Sequence, residues 1–171
     1  YNIKEGTKWI GSSAFWNCSG LTSITIPESV TSIGYYAFYG CSGLATITIP
    51  ESVTNIGGSA FENCSGLATI TIPESVTNIG GSAFHGCTGL TMAEFASIES
   101  LCKISFGNSY SNPLYYAIRL CIDGNEVTDV VIPEGLTNIR NYTFSNCNGL
   151  TSITIPESVT TIGDYAFHYC S

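Results

Sequence analysis

The stretch LTSITIPESVTSIGYYAFYGCSG, residues 21–43, decides the fold of this 171-residue chain because it recurs almost unchanged. It returns as LATITIPESVTNIGGSAFENCSG from residue 44 and as LATITIPESVTNIGGSAFHGCTG from residue 67. After an interruption, further copies begin at residues 127 and 150. A period of about 20 to 50 residues is typical of a solenoid, whose turns are stable only when they pack on their neighbours. The repeat therefore predicts one continuous stack that presents a surface.

Each copy contains the same order of predicted elements. It opens with LxxIxI, in which three apolar residues share one face of a short strand that ends at a proline. A second extended piece, ESVTSIG, closes at Gly34, where we expect a corner with positive φ. The segment YYAFYGC then has near-helical apolar spacing and predicts one helical or 3₁₀ turn, with Gly43 as its left-handed cap. We expect right-handed turns of 23 residues whose short strands form parallel sheets.

Two columns of the repeat supply the predicted core. The first contains Phe15, Phe38, Phe61, Phe84, Phe144 and Phe167, and the second contains Cys18, Cys41, Cys64, Cys87, Cys147 and Cys170. Buried free cysteine packs as a small apolar residue, so we expect stacked free thiols. Neighbouring turns could also bring column cysteines within disulfide range. Cys102 and Cys121 lie outside the column and are the better candidates for a bonded pair.

The repeat is interrupted in the middle of the chain. We divide the single domain into regular repeats at 1–89, one expanded irregular repeat at 90–126 and regular repeats at 127–171. Both ends of the chain fall within a repeat, so we expect it to be a fragment of a longer protein, because solenoids normally end in atypical polar repeats.

The irregular repeat has predicted elements of its own. We expect a short helix at about residues 98–104, a loop, and a hairpin strand at 117–122 that turns at Asp123-Gly124-Asn125. An irregular insertion in a regular array is a candidate for a specific contact. The alternative is a decorated turn that only fills space.

Charge composition excludes two classes of partner. The chain has 13 acidic and 5 basic residues, which gives a net charge of −8. Proteins that bind nucleic acid or anionic membranes need clustered Lys and Arg, so neither partner is expected. No apolar run approaches the roughly 18 residues of a membrane span. The first residues also lack the apolar core of a signal peptide.

The sequence contains no arrangement of residues that predicts catalysis. Nucleophile motifs, phosphate-binding loops and His/Cys clusters with metal spacing are absent, so we expect no enzyme activity, no cofactor and no metal site. One acidic column deserves comparison with a calcium site; it contains Glu5, Glu28, Glu51, Glu74, Glu134 and Glu157. A solvated strip is the better interpretation, because the column lacks the supporting Asp and Asn of a calcium loop.

Three sets of residues are candidates for contact with a partner. The position after each core Phe varies, so the core does not dictate it and its side chains are expected to point outward; it contains Trp16, Tyr39, Glu62, His85, Ser145 and His168. An exposed hydroxyl row includes Thr25, Thr48, Thr71 and Thr154, although Thr is also a good strand former. The irregular repeat adds Tyr110, Tyr115 and Tyr116.

The pattern LxxIxIPxSVTxIGxxAFxxC closely resembles the BspA-like leucine-rich repeats of bacterial surface proteins, over residues 3–89 and 127–171. The resemblance implies a leucine-rich-repeat solenoid, an extracellular or cell-surface location, and a role in adhesion or in binding a host or matrix protein or a glycan. It implies no catalytic residues. The alternative is a structural spacer that carries other domains, which the near-identity of the repeats favours, whereas the insertion favours binding.

Overall fold

The computed structural model describes residues 1–170, which form a parallel β-solenoid of about 7 turns. The predicted solenoid is therefore confirmed. Its strands are short, and their bounds in chain order are β1 (Trp9–Ile10), β2 (Ser32–Ile33), β3 (Asn55–Ile56), β4 (Thr69–Ile72), β5 (Asn78–Ile79), β6 (Met92–Phe95), β7 (Ser105–Phe106), β8 (Arg119–Ile122), β9 (Asn125–Glu126), β10 (Asp129–Val131), β11 (Asn138–Ile139), β12 (Ser152–Thr154) and β13 (Thr161–Ile162). The helices are α1 (Ile98–Lys103) and two 3₁₀ helices, Ser109–Ser111 and Pro113–Tyr115.

The strands lie in two rows along the stack. The first row contains the strands that open each turn, in the order β4-β6-β8-β9 followed by the pair β10-β12. The second row contains the strands after the proline, in the order β1-β2-β3-β5-β7 followed by the pair β11-β13. All pairs are parallel except β8–β9. The register follows the 23-residue period, since Ser32 pairs with Asn55 and Asn55 with Asn78.

The Phe column fills the interior between the rows and the third side of the solenoid. Phe38, Phe61 and Phe84 are fully buried, and their rings stack with centroids 5.3 and 5.4 Å apart. Ile33, Ile56 and other apolar strand residues face the same core. The solenoid is therefore stabilised chiefly by apolar surface that each turn buries against its neighbours.

The Cys column combines packing with weak hydrogen bonds between turns. The Sγ of Cys64 donates to the Phe38 carbonyl at 3.0 Å, and the Sγ of Cys87 donates to the Phe61 carbonyl at 3.0 Å. In the part of the chain that the structure describes, all eight cysteines are free thiols, including Cys102 and Cys121. Burial raises the pKa of Cys87 to about 12 and that of Cys41 to about 11, so both remain protonated at neutral pH.

Thiol modification should distinguish the ends of this column from its interior. Cys18 is exposed, whereas six other cysteines are buried and Cys170 is half-buried. Since the thiolate is the reactive form, a thiol reagent at pH 8 should modify Cys18 first, and the buried thiols should react only on unfolding. The Cys18→Ser variant should lack the fast phase of modification. In denaturant, all eight thiols of the unmodified chain should react. Equally fast reaction of Cys64 in the folded protein would contradict the buried column.

The third side of each turn, which we call the turn side, differs in detail from the expected helical or 3₁₀ turn. In residues 34–43, Tyr39 N–H donates to the Tyr36 carbonyl at 3.1 Å, but Phe38 N–H donates to Ala60 of the next turn at 2.8 Å. Two positions per repeat have positive φ, such as Tyr36 at 56° and Gly40 at 69°. Alternate N–H groups therefore bond within the turn and between turns, whereas a helix would use them all internally.

The glycines that recur in successive copies of the repeat have a different role from the one expected. Gly34 and Gly43 have φ values outside the left-handed region. A Cβ on Gly34 would lie 2.8 Å from the Ser12 nitrogen, and a Cβ on Gly43 would collide with the Ser19 carbonyl oxygen. The expectation of positive φ at these positions was wrong; glycine is needed there because the backbone of the preceding turn passes too close for a side chain.

The irregular segment keeps the register of the first row and lengthens the connection to the second. Met92 pairs with Thr69 at the usual spacing, but Ser105 pairs with Asn78 because α1 is inserted between β6 and β7. Ser97 caps α1, its hydroxyl accepting from Ser100 N–H at 2.9 Å. The predicted helix is confirmed.

The predicted hairpin is also confirmed, and because of it the second row has one strand fewer. β8 pairs in parallel with β6 and then turns back as β9 through Asp123 and Gly124, whose φ values are 51° and 72°. The chain next begins β10, the opening strand of another turn. The turn that starts at β8 therefore has a strand in the first row and, within residues 1–170, none in the second.

Candidate binding surface

Exposed and half-buried aromatic side chains collect along the turn side of the solenoid. They come from the position after the core Phe, from the two positive-φ positions of the repeat and, in the irregular segment, from the two 3₁₀ helices and the residue that follows them. We call this set the aromatic edge; it contains Trp16, Tyr36, Tyr39, His85, Tyr110, Tyr115, Tyr116, Tyr142, Tyr165, His168 and Tyr169.

The N-terminal part of the aromatic edge is a stacked cluster open to solvent. The rings of Trp16 and Tyr39 stack with centroids 4.3 Å apart, and Tyr36 lies 5.3 Å from Trp16. Trp16 is 44% exposed and Tyr36 is 40% exposed. The cluster offers a preformed apolar contact surface, because stacking fixes the side chains before any partner arrives.

The middle part is built by the irregular segment. His85 Nδ1 lies 3.3 Å from Glu62 Oε1, and its ring lies 4.7 Å from that of Tyr110. Tyr110 lies 4.6 Å from Tyr115, and the interaction with the Tyr110 hydroxyl raises the pKa of Tyr115. The Tyr116 hydroxyl accepts from Gly86 N–H at 3.0 Å, which replaces a backbone hydrogen bond of the regular turns. Tyr116 is therefore partly structural.

The C-terminal part is also a cluster of stacked rings, but its stacked pair comes from the first positive-φ position of the repeat. Tyr142 and Tyr165 stack with ring centroids 5.5 Å apart, and His168 lies 5.3 Å from Tyr165 and 4.1 Å from Tyr169. Tyr169 is also near enough to Tyr115 to contribute to its raised pKa. Ser109 of the irregular segment lines the same surface cavity as Tyr142, Tyr165 and His168, so the C-terminal cluster lies beside the irregular segment.

The structure places the sequence-derived candidates in two separate areas. Seven of them lie on the aromatic edge: Trp16, Tyr39, His85, His168, Tyr110, Tyr115 and Tyr116. Thr25, Thr48, Thr71 and Thr154 lie instead on the exposed face of the first row. The two sets are therefore different surfaces rather than one site.

The hydroxyl row is less regular than the repeats suggest. Thr71 is followed in register by Glu94 and Cys121, and its hydroxyl lies 3.5 Å from Glu94 Oε2. At the far end, Asp129 accepts from Ser152 Oγ at 2.6 Å and from Thr151 Oγ1 at 2.9 Å, and these bonds hold its pKa below the usual range. Part of the row is therefore engaged within the protein.

One expectation about the variable position was wrong, and four aromatic residues were missed. Ser145 was expected to point outward but is fully buried, because the irregular segment packs on this region, as the hydrogen bonds from Asn112 to Tyr142 and Thr143 show. The residues missed by sequence reasoning are Tyr36, Tyr142, Tyr165 and Tyr169. Their positions also vary within the repeat, which is the signal that identified the other candidates.

The described residues offer little for metal chemistry or membrane insertion. Within residues 1–170, no three His, Cys, Asp or Glu side chains are grouped closely enough to hold a metal ion. Over the same range, no helix has the length and apolar character that a membrane span requires. The ring of His85 contacts Tyr110 of the irregular segment, whereas the ring of His168 contacts Tyr165 of its own turn.

Comparison with known proteins agrees with this architecture. The chain is similar to a leucine rich repeat protein of T. pallidum (TpLRR), with 28% identity and a TM-score of 0.63 over 92% of this chain and 67% of that one. It is similar to a leucine-rich repeat protein of Bacteroides ovatus, with 27% identity and a TM-score of 0.61 over 99% of this chain and 46% of that one. No curated protein matches. A family model described as the BspA type leucine rich repeat region matches residues 1–117 and 119–171 in 6 copies, and the chain belongs to that family.

Proposed function

We propose that this chain is an extracellular or cell-surface binding module whose partner, a host or matrix protein or a glycan, contacts the aromatic edge. The observation that carries the proposal is a row of three aromatic clusters along that edge, in which Trp16, Tyr36, Tyr165 and Tyr169 are exposed to solvent. Membership of a family of bacterial repeat proteins supports the surface location. The proposal includes no enzymatic step.

The chemistry of the aromatic edge suits recognition. Tyr and Trp supply large contact areas with few rotatable bonds, and they dominate the energetics of many interfaces. Stacking against neighbours in adjacent turns lowers the entropy lost on binding. The hydroxyl row is the weaker candidate, because some of its polar groups already bond to Glu94 and Asp129.

A structural spacer is the second candidate function. The β1, β2, β3 and β5 turns repeat with identical register, and a dedicated binding face usually varies between rows. In that case the aromatic edge would only cover the turn side, and the chain would bind nothing with specificity.

Alanine substitution of exposed edge residues separates the two functions. Panels of immobilised extracellular-matrix proteins and of glycans should include at least one ligand for the unmodified chain. We expect Trp16→Ala or Tyr165→Ala to weaken that binding by about 30-fold, the effect of losing an interface residue worth about 2 kcal/mol. Biolayer interferometry would measure the affinities, and far-UV circular dichroism would establish that each variant is folded.

The matched control is the double variant Thr48→Ala/Thr71→Ala on the first row, which should bind as the unmodified chain does. Equal weakening by the control variant would place the partner on the sheet face and contradict the proposal. No binding to any member of the panels would favour the spacer.

A further inference from the structure

The second row of the solenoid is missing one strand. The first row continues from β6 to β8, but the hairpin β8–β9 replaces the rest of that turn, and the chain then begins β10. As a result, β7 and β11 end their respective sheets, and within residues 1–170 no strand pairing joins them. α1 contacts β11, so the C-terminal turns remain attached while the two strand edges stay unpaired.

The backbone groups along these two edges have a defined geometry. Gly107 N–H donates to the Ile79 carbonyl at 2.9 Å, and Gly163 N–H donates to the Ile139 carbonyl at 2.8 Å. By the same register, the Phe106 carbonyl should receive a donor from the next strand, and Arg140 N–H should find an acceptor in the previous one. Neither bond forms among the described residues.

A second pair of backbone groups without partners lies at the other end of the same gap. Ser105 N–H donates to the Thr77 carbonyl and Thr160 N–H to the Thr137 carbonyl, both at 2.9 Å. The equivalent groups at the gap are the Ile104 carbonyl and Thr137 N–H, for which the described chain provides no backbone partner. An open parallel edge of this kind is a template for another strand.

The glycine column independently marks the same gap. Gly34, Gly57 and Gly107 precede the turn side, and an added Cβ on each would collide with backbone of the preceding turn; for Gly57 the Gly34 carbonyl carbon would be 2.6 Å away. The residue at this position in the turn after the gap is Arg140. A long side chain is tolerated there because no strand of a preceding turn lies beside it.

The gap is an accessible groove with a local positive charge. Its volume is about 300 Å³, and its lining includes Ser105, Phe106, Asn138, Ile139, Arg140 and Asn141. Among residues 1–170, the lining contains Arg140 and no carboxylate, although the chain as a whole has a net charge of −8. The groove therefore favours an acidic ligand over a basic one.

From this geometry we infer that the groove between β7 and β11 binds an extended, acidic peptide segment of another protein as the missing strand of the second row. The peptide lies parallel to β7 and β11 and pairs with both. Its N–H groups donate to the Ile104 and Phe106 carbonyls, and its carbonyls accept from Thr137 and Arg140. One carboxylate side chain pairs with the Arg140 guanidinium. The site does not depend on the aromatic edge.

A synthetic peptide copied from the chain provides a probe. Residues 158–164, SVTTIGD, form the strand next to β11, so the capped heptapeptide has the correct pattern for the gap and places its Asp near Arg140. Hydrogen exchange of the folded chain should show Thr137 and Arg140 amides exchanging faster than Thr54 and Gly57, their paired counterparts. Peptide at nine-tenths occupancy should slow both by about tenfold, because exchange then proceeds from the free fraction.

Matched peptides test the pairing and the charge separately. SVPTIGD lacks the N–H group that would donate to the Ile104 carbonyl and should bind at least about tenfold more weakly. SVTTIGN should bind the unmodified chain about 1.4- to 5-fold more weakly than SVTTIGD does, which is the range expected for an exposed ion pair. The two peptides should bind the Arg140→Gly variant with equal affinity. Fluorescence anisotropy would give the affinities, and Trp16→Ala should bind SVTTIGD unchanged, so failure here is distinguishable from failure of the aromatic edge.

Two results would overturn the inference. One is unchanged exchange at Thr137 and Arg140 when SVTTIGD is bound. The other is concentration-dependent dimerisation that Arg140→Glu abolishes, with no peptide binding by the monomer, because the occupant of the groove would then be a second copy of the chain.

Discussion

Replacing Phe61 by Ala should lower the free energy of unfolding by about 3–5 kcal/mol, since truncating a buried Phe removes its transfer free energy and leaves a cavity. Phe61 is fully buried, and its ring stacks on Phe38 at 5.3 Å and on Phe84 at 5.4 Å. Each neighbour is held by its own turn, so the stack cannot collapse to fill the space. Urea unfolding followed by far-UV circular dichroism would measure the loss.

Phe15→Ala is the matched control, because it is the same substitution in the same column at the end of the array. Phe15 is only partly buried and stacks on one side alone, on Phe38 at 5.1 Å. We expect less than half the effect of Phe61→Ala, since a terminal turn packs on only one neighbour. Equal losses at the two positions would show that the stability is not set by contacts between neighbouring turns.

Much of this architecture could be predicted because repetition aligns the columns. A residue type that recurs every 23 positions must occupy equivalent places in successive turns, so the Phe, Ile and Cys columns follow directly from the sequence. The short helix and the hairpin were also predictable, since Asp123-Gly124 has the residue types that a two-residue turn with positive φ demands.

The backbone of the turn side could not be predicted in the same way. Ser, Tyr and Asn residues adopt positive φ there, such as Ser59 at 54° and Tyr165 at 57°, although a side chain disfavours that region. The hydrogen bonds to the next turn outweigh the local preference. The prediction of positive φ at the glycines failed for a related reason. A positive φ and a close approach of another backbone segment both select glycine, and a single sequence does not distinguish between them.

The missing strand was also beyond sequence reasoning. The 37 residues from Leu90 to Val127 fit a single expanded turn as well as a lengthened turn followed by a hairpin. Only the strand registers, Asn78 with Ser105 and Met92 with Arg119, reveal where each strand lies. Arg140 in the glycine column was a visible signal, but its meaning depends on knowing that those glycines avoid the backbone of the preceding turn.

Asn112→Asp should have the other large effect, a loss of about 3–5 kcal/mol at pH 7. Asn112 is fully buried and joins the irregular segment to the C-terminal turns, because its Nδ2 donates to the carbonyls of Tyr142 and Thr143, both at 2.9 Å. Its Oδ1 accepts from Leu114 N–H at 3.0 Å. Aspartate keeps that acceptor but directs a second oxygen, and a buried charge, at two carbonyl oxygens. The Thr143 carbonyl would lose its donor, and the Tyr142 carbonyl would keep only Ser145 N–H, at 3.1 Å.

The sign of the pH dependence separates this effect from a general loss of packing. Burial beside two carbonyls would raise the folded-state pKa of the new carboxyl above the unfolded value of about 3.9. The variant would then be least impaired below the unfolded pKa, where both states are protonated, and would lose stability as pH rises toward the folded pKa. Urea unfolding of Asn112→Asp at pH 4 and pH 7 should therefore show the smaller loss at pH 4.

Asn108→Asp provides the control within the same segment. The Oδ1 of Asn108 accepts from Ser82 N–H at 3.0 Å and from Ser111 Oγ at 3.2 Å, whereas its Nδ2 makes one long contact with Ser82 Oγ at 3.4 Å. A carboxylate preserves both accepted bonds on a half-buried residue, so we expect a change within about 1 kcal/mol. If the two substitutions had equal effects, the amide donor of Asn112 would not be what holds the C-terminal turns to the rest of the solenoid, and the opposite roles assigned to these two asparagines would be wrong.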